Sequence, residues 1–271
     1  MKYKKKPRTL LDKPVLIKDP HYGKKVLLFD IETAPNLAYV WGKWEQDVIA
    51  FKEHWYMISY GYKWLGEKTT RVVALPDFKL YNKEKSNDRE LVKSLWELFN
   101  QADVIIAHNG DAFDIKKSNA RFIQHRLPPP MPYKTIDTLK WARRYFKFDS
   151  NKLDDLGDYL QVGRKVQTGG FHLWLGCIAG EKKAWNKMKE YNKHDVILLE
   201  KIYYKIRGWA KGVPNMNLLL GSNINCPNCG SEHTIKRGFS YTQVGIYQQY
   251  QCKNCGSWPR GEKIKTGKVL K

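Results

Sequence analysis

From Val26 onwards, apolar residues fall alternately in short runs typical of buried strands and at the three-to-four spacing of amphipathic helices. The strands predicted from these runs are Val26–Glu32, His54–Trp64, Thr69–Ala74 and Asp103–His108. The predicted helices are Asp88–Asn100, Ala112–Arg126, Thr138–Tyr145, Leu153–Leu160 and Lys182–Trp209. Three strands at hairpin spacing, followed by strands that alternate with helices, predict an α/β domain with a mixed sheet flanked by helices.

The pattern divides the 271 residues into four segments. Residues 1–24 are a basic N-terminal arm with little periodicity, 25–210 are the α/β domain, and 211–221 are a linker marked by glycine and proline. Residues 222–271 are rich in Gly, Gln, Tyr and Cys and end in a basic tail. This last segment is too short to bury much apolar core, so it needs a covalent cross-link or a bound metal ion for stability.

The net charge of +21 is concentrated at the two ends of the chain. Residues 1–25 contain nine Lys and Arg against two Asp, residues 201–271 contain twelve against two Glu, and the middle is only +4. Basic flanks favour a polyanionic partner, nucleic acid first and an anionic membrane surface second, with solvated tails as the alternative. The opening residues lack the apolar stretch of a signal peptide and no run approaches a membrane span, so we expect a cytoplasmic protein without a membrane partner.

Two carboxylates stand at the end of the first predicted strand, in the stretch FDIETAPN. Side chains alternate along a strand, so Asp30 and Glu32 share one face while Phe29 and Ile31 share the other. Neighbouring carboxylates near an apolar core repel each other unless a cation joins them, and Mg²⁺ prefers such oxygen ligands. The alternative is a strand end that opens into solvent.

Two further acids follow in suitable contexts. A helix begins near Ala112 with Asp111 as its predicted N-cap, which places Asp114 in the first turn, where the helix dipole alone could explain it. Tyr191 and Asp195 lie four apart on the apolar face of the last helix, whereas His194 and Lys193 point to solvent. A tyrosine one turn from a buried aspartate can hold or polarise a water.

In order, FDIET, HNGDAFD and YNKHD resemble the three exonuclease motifs of the DEDD superfamily, DnaQ-like nucleases of ribonuclease H-like fold. The resemblance runs from Val26 to Tyr204 and extends to TIDTLKWARRYFKFDSNKLDDLGDYL, which is similar to the proofreading domains of family B polymerases. The branch with histidine has it five residues before the last Asp, where this chain has Glu190. The other branch has a tyrosine four residues before that Asp, and with Tyr191 in this position the chain resembles the tyrosine branch.

This resemblance implies two-metal phosphodiester hydrolysis with Mg²⁺ or Mn²⁺. Asp30 would bridge both ions, Glu32 and Asp195 would bind the ion on the nucleophile's side, Asp114 would support the other ion, and Tyr191 would orient the attacking water. The residues implied beside the terminal nucleotide are Thr33, Ala34, Pro35, Asn36, Asn109 and Phe113. Turn formation by Pro35 and Asn36 and core packing of Phe113 are the alternatives.

The cysteines form two CxxCG knuckles, CPNCG with Cys226 and Cys229 and CKNCG with Cys252 and Cys255. Four thiolates suit one tetrahedral Zn²⁺, which would supply the folding free energy that the small core cannot. The segment also resembles zinc ribbons of transposase-associated DNA-binding proteins. Lys236 and Arg237 would then bind phosphates and the ribbon's tyrosines would stack on bases, the alternative being a purely structural ribbon.

The sequence has three further features that are less informative. Trp41, Trp44 and Trp55 would make either a platform for single strands or, as we favour, aromatic core or hairpin contacts. Cys177 reads as a small buried hydrophobe, and Asp137 as the cap of a strand end.

We therefore expect a 3′→5′ exonuclease on DNA, with replication, repair or recombination partners and a phage or mobile-element origin. The rival hypotheses are a 3′→5′ exoribonuclease, a structure-specific endonuclease and an inert nucleic-acid-binding adaptor. The oligomeric state is left open.

Overall fold

The computed structural model describes residues 25–44, 47–215 and 225–264. The predicted N-terminal arm, most of the predicted linker and the basic tail lie outside these residues. The described strands are β1 (Val26–Thr33), β2 (Leu37–Tyr39), β3 (Ala50–Glu53), β4 (Met57–Trp64), β5 (Arg71–Ala74), β6 (Val104–Ala107), β7 (Lys134–Asp137), β8 (Thr234–Thr242), β9 (Gly245–Cys252) and β10 (Arg260–Lys263). The α-helices are α1 (Arg89–Phe99), α2 (Asp114–Gln124), α3 (Thr138–Tyr145), α4 (Leu153–Tyr159), α5 (His172–Ala179) and α6 (Lys182–Ile206).

The main sheet has five strands in the order β5-β4-β1-β6-β7. Strand β4 is antiparallel to both β1 and β5, whereas β1, β6 and β7 run parallel. The predicted mixed sheet flanked by helices is therefore confirmed, as is the antiparallel start of the chain. Within the described residues, no helix combines the length and the apolarity needed to cross a bilayer.

The sheet buries an apolar layer on each face, and β1 contributes to both. Leu27, Phe29 and Ile31 face the layer formed with α1, α2, α5 and the start of α6. Val26 and Leu28 face the layer formed with α3, α4 and the second half of α6. The carboxylates after them therefore continue the face that α6 covers, in agreement with the predicted alternation.

The close approach of α6 to the sheet depends on Gly61, which pairs with Asp30 across β1 and β4. A Cβ atom at Gly61 would lie 2.8 Å from the Asn192 carbonyl oxygen and 2.9 Å from a methyl of Val196. Because only glycine leaves this space, the backbone of α6 can lie directly over the strand that carries the acids.

Strand β7, helix α5, the two-stranded hairpin of β2 and β3, and strand β10 were not predicted. The interpretation of the tryptophans as core or hairpin contacts is wrong for Trp41 and Trp44, because these side chains are 85% and 83% exposed on the hairpin. Trp55 is half-buried, with the Lys117 ammonium 3.6 Å from the centre of its ring. The predictions that Cys177 is buried and that Asp137 caps a strand end are confirmed, since Asp137 accepts hydrogen bonds from the first turn of α3.

The C-terminal segment has its own three-stranded antiparallel sheet, ordered β10-β9-β8. Its innermost side chains are Cys226, Cys229 and Cys252, with Cys255 packed against them. With so little apolar core, the segment depends on what the four cysteines bind.

Candidate active site

The carboxylates predicted from three distant motifs meet at one end of β1. Oxygen atoms of Asp30, Glu32 and Asp195 lie within 4.8 Å of one another. Strand β1 supplies the first two, and α6 supplies Asp195, which is 1% exposed. Glu32 and Asp195 therefore lie close together although 162 residues of the folded domain separate them in the sequence.

Asp114 lies beside this cluster at the start of α2. Its Oδ1 atom accepts a hydrogen bond of 3.1 Å from the Ile31 backbone N–H, which fixes the carboxyl group against β1. Asp111 does not cap the helix, because α2 begins at Asp114 itself and Asp111 instead binds the Lys140 ammonium at 2.6 Å. The predicted N-cap is therefore wrong, although the predicted position of Asp114 in the first helical turn is correct.

Burial and mutual repulsion raise the pKa values of the acids. Desolvation, followed by the charges of Asp114, Glu32 and Asp195, raises the pKa of Asp30 well above its ordinary value. Desolvation, and then Asp195, raises the pKa of Glu32 to about 8, and desolvation raises the pKa of Asp114 to about 6. Such a group of carboxylates is unfavourable when fully ionised unless cations join it.

Lys165 is a charged residue of the cluster that the sequence did not reveal. Its Nζ atom donates to Asp195 Oδ2 at 2.6 Å and to the Tyr191 hydroxyl at 3.0 Å. Although burial opposes the charge, Asp195 and then Tyr191 raise the pKa of Lys165 above its ordinary value. The lysine is therefore a positive charge built into the acidic cluster, and it holds the tyrosine in place.

Tyr191 lies on α6 one turn before Asp195, as predicted. Desolvation and then the charges of Asp195 and Glu32 raise the pKa of its phenol, so the hydroxyl keeps its proton. Its ring contacts the Trp174 indole of α5 at 6.1 Å between centroids. The Trp174 side chain also hydrogen-bonds Glu32, so the unpredicted helix α5 closes one side of the site.

Asn192 ties α6 to the acids from the opposite side. Its Nδ2 atom donates to Asp30 Oδ2 at 2.8 Å and its Oδ1 atom accepts from the Ser59 hydroxyl at 3.2 Å. The prediction of a solvated His194 is wrong: its Nε2 atom lies 2.6 Å from the Arg164 carbonyl oxygen, and the side chain is half-buried.

The residues predicted beside the substrate fall into two groups. Thr33, Pro35 and Asn109 are half-buried, and Phe113 is 41% exposed. Ala34 is buried in the core, so its side chain is not available to a ligand. The Asn36 side chain is engaged by the Trp55 backbone N–H at 2.8 Å.

The carboxylates suit hard divalent cations. Three of them converge, and Asp195 Oδ1 is buried without a hydrogen-bond partner among the described residues. An orphaned carboxylate oxygen of this kind fits Mg²⁺ or Mn²⁺, which bind oxygen ligands.

The four cysteines suit a different metal. The Sγ atoms of Cys226 and Cys255 are 3.7 Å apart, as are those of Cys229 and Cys252, and all four lie within 4.8 Å. A tetrahedral ion with metal–sulfur bonds of about 2.3 Å requires sulfur atoms about 3.8 Å apart, so the cluster fits Zn²⁺. Lys236 and Arg237 lie exposed on β8, away from this cluster.

Comparisons with known proteins agree with this fold. Residues 51–207 match the profile of a family described as the RNase_H superfamily, which covers more than half of the chain. The chain belongs to the RNase H superfamily. The matched range contains Asp114, Tyr191, Lys165 and Asp195, whereas β1 with its two acids precedes it.

A structural comparison gives the same RNase H-like architecture. The family B DNA polymerase from the hyperthermophilic archaeon Pyrobaculum calidifontis is similar over 83% of this chain, with a TM-score of 0.50 and 13% identity. The chain covers 32% of that polymerase. At this identity the likeness concerns the fold alone. No curated protein matches the sequence.

Proposed function

We propose that the protein is a metal-dependent 3′→5′ exonuclease that hydrolyses phosphodiester bonds of DNA. The observation that carries the proposal is the cluster of Asp30, Glu32 and Asp195, with Tyr191 and Lys165 beside it, at one end of an RNase H-like sheet. Membership of the RNase H superfamily supports a nuclease that acts on nucleic acid.

The acids would hold two Mg²⁺ or Mn²⁺ ions, with Asp114 supporting the second. Bound ions of this kind supply Lewis-acid activation of the phosphodiester and of water. Asn192 and the Ile31 backbone keep Asp30 and Asp114 in fixed orientations for this role. Fixed ligands lose little freedom on binding, which favours a defined position for the scissile phosphate.

Tyr191 orients the attacking water. Because its pKa is raised, the phenol remains protonated and acts by hydrogen bonding, not as a general base. Lys165 restrains the phenol oxygen at 3.0 Å and so limits where that water can sit.

DNA is preferred over RNA because the structural neighbour is a DNA polymerase and the motifs resemble proofreading domains. The C-terminal cysteine segment, with a structural Zn²⁺, would act as a zinc ribbon that helps hold the substrate through Lys236 and Arg237. The net charge of +21 supports a polyanionic substrate. A cytoplasmic location, and partners in replication or recombination, belong to the same proposal.

The test uses 5′-labelled DNA and RNA, single- and double-stranded, incubated with Mg²⁺, Mn²⁺ or EDTA. A ladder that shortens from the 3′ end of DNA, only with metal, supports the proposal. Discrete internal products would indicate an endonuclease, a ladder on RNA alone would indicate an exoribonuclease, and binding without cleavage would indicate an adaptor.

Asp30→Asn is the matched loss-of-function variant, since the amide keeps the shape but not the charge. We expect it to abolish cleavage while the circular dichroism spectrum and thermal unfolding remain native-like. Asp158→Asn is the control, because Asp158 makes an exposed ion pair with Arg164. Full activity of the Asp30 variant would contradict the proposed site.

A further inference from the structure

The residues that directly follow α6, 207–210, are in close contact with the cysteine segment. The Asn228 side chain donates to the carbonyl oxygens of Arg207 at 3.4 Å and of Ala210 at 3.0 Å. A Cβ atom at Gly208 would lie 1.9 Å from the Cys255 carbonyl oxygen, so only glycine permits this approach. The two segments thus share an interface formed by backbone groups, in addition to their covalent connection.

Arg207 lies inside that interface and has an unusual environment for a cation. It is 6% exposed, and no Asp or Glu of the described residues forms an ion pair with it. Its Nε atom has no hydrogen-bond partner within the same residues. The guanidinium carbon lies 4.5 Å from the ring centre of Tyr204 and 5.8 Å from that of Tyr203. A buried cation without a carboxylate is costly, so another source of negative charge is expected nearby.

The cysteine cluster packs against the residues around Arg207 and is a candidate source of that charge. Burial opposes the charge of Arg207, but Tyr203, followed by Cys229 and Cys255, favours its protonated form and raises the pKa of the guanidinium. Four thiolates around one divalent ion carry a net charge of about −2. With Cys226 and Cys252 0% and 1% exposed, this charge is also removed from water. The buried Arg207 cation and the buried anionic cluster can therefore each provide the opposite charge that the other needs.

We propose that Arg207 is the countercharge of the metal-loaded cysteine cluster and thereby fixes the C-terminal segment to the end of α6. Arg207 is not a metal ligand; it acts on the thiolates through their charge and through its position under the two tyrosines. This inference concerns the cysteine cluster and stands independently of the proposed nuclease activity.

The first experiment measures zinc affinity in the full-length protein by competition with a chromophoric chelator. Arg207→Met removes the charge and keeps much of the volume. We expect the dissociation constant for Zn²⁺ to rise about 10- to 100-fold, the range found for residues that support metal ligands. Arg207→Lys keeps the charge and should stay within a few-fold of the unmodified protein.

Arg260→Met is the matched control. Arg260 also lies over a tyrosine ring, 4.2 Å from the centre of Tyr247, but it is exposed and belongs to β10. We expect its zinc affinity to be unchanged. Equal zinc affinities for the Arg207→Met and Arg260→Met variants would overturn the proposal, as would equal losses in the methionine and lysine variants at Arg207.

Hydrogen exchange provides a second readout that does not depend on any activity. In the unmodified protein, chelation of zinc should speed amide exchange in residues 203–210, because the anionic partner of Arg207 is then lost. In the Arg207→Met variant the same amides should exchange quickly even with zinc bound. Exchange that is insensitive to zinc in the unmodified protein would contradict the proposed coupling.

Discussion

Replacing Lys165 by methionine separates the electrostatic role of this lysine from simple packing. Methionine keeps an unbranched side chain of similar length but cannot donate to Asp195 or Tyr191. At 2.6 Å and an effective dielectric constant of about 20, the attraction between the Lys165 ammonium and the Asp195 carboxylate is about 6 kcal/mol before desolvation is subtracted. Because the lysine side chain is 29% exposed, solvent screening reduces the net value, and we expect a loss of about 1–2 kcal/mol in the free energy of unfolding in EDTA.

The effect of metal should have the opposite sign. Lys165 repels a divalent cation bound by the same carboxylates, so its removal should leave Mg²⁺ affinity unchanged or tighter. Added Mg²⁺ should therefore raise the melting temperature of the variant more than that of the unmodified protein. The value of kcat should fall about 100-fold with little change in KM, because the restraint on Tyr191 is lost.

The assays are urea unfolding in EDTA, calorimetric titration with Mg²⁺ and steady-state hydrolysis of a labelled oligonucleotide. Arg164→Met is the neighbouring control, because its ion pair with Asp158 is exposed and should contribute less than about 1 kcal/mol. The reasoning would be refuted by unchanged kcat, or by a parallel loss of metal affinity and activity, which would indicate a general structural role.

Three further predictions follow from the geometry. In EDTA, burial raises the pKa of Glu32 to about 8 and that of Asp114 to about 6, so the folded state holds protons that the unfolded state releases. The free energy of unfolding should therefore fall as pH rises from about 5 to 8, while Mg²⁺ affinity rises. Urea unfolding measures the first effect at each pH, and calorimetry measures the second. Gly61→Ala should lower stability by about 1–3 kcal/mol and reduce cleavage, because its Cβ would lie 2.8 Å from the Asn192 carbonyl oxygen above Asp30; thermal unfolding and the ladder assay test this. Replacing both Trp41 and Trp44 by alanine should weaken single-stranded DNA binding in EDTA by about 1–3 kcal/mol for each base that stacks, as measured by fluorescence anisotropy. The stability of the protein should be unchanged, because both rings are exposed.

Each of these has a contrary outcome. Stability that rises with pH in EDTA would mean that the acids are ionised in the folded protein. An unchanged melting temperature for the Gly61 variant would show that α6 lies farther from the sheet. Undiminished DNA affinity of the tryptophan variant would remove the platform interpretation.

Periodic segments could be read from the sequence because local pattern and tertiary burial agree there. Helix α3 has the predicted bounds, and α6 begins at the predicted residue, since both carry a clear apolar stripe. Helix α5 was missed because HLWLGCIA is apolar on nearly all sides and short. Strand β7 was missed because it has four residues and follows a proline-rich stretch.

The acids of the site could be predicted because each one interrupts an apolar pattern. Several such interruptions in the order of the motifs indicate that the acids form one site. Lys165 gave no such signal, since it lies in a glycine-rich stretch of irregular backbone and meets Asp195 only through the packing of α6. The exposure of Trp41 and Trp44 was equally invisible, because an aromatic residue in a strand-like pattern is more often buried.

Helix α6 and its C-cap residue contribute to two chemically different centres. Asp195 belongs to the acidic cluster, and Arg207 belongs to the interface with the cysteine cluster. Twelve residues separate them, which is about 18 Å along a helix, or about five base pairs of duplex DNA. In a nuclease of the proposed kind, this helix keeps the cleavage site and the C-terminal segment that binds the nucleic-acid strand at a fixed distance from each other. A very short oligonucleotide can therefore occupy only one of these two sites.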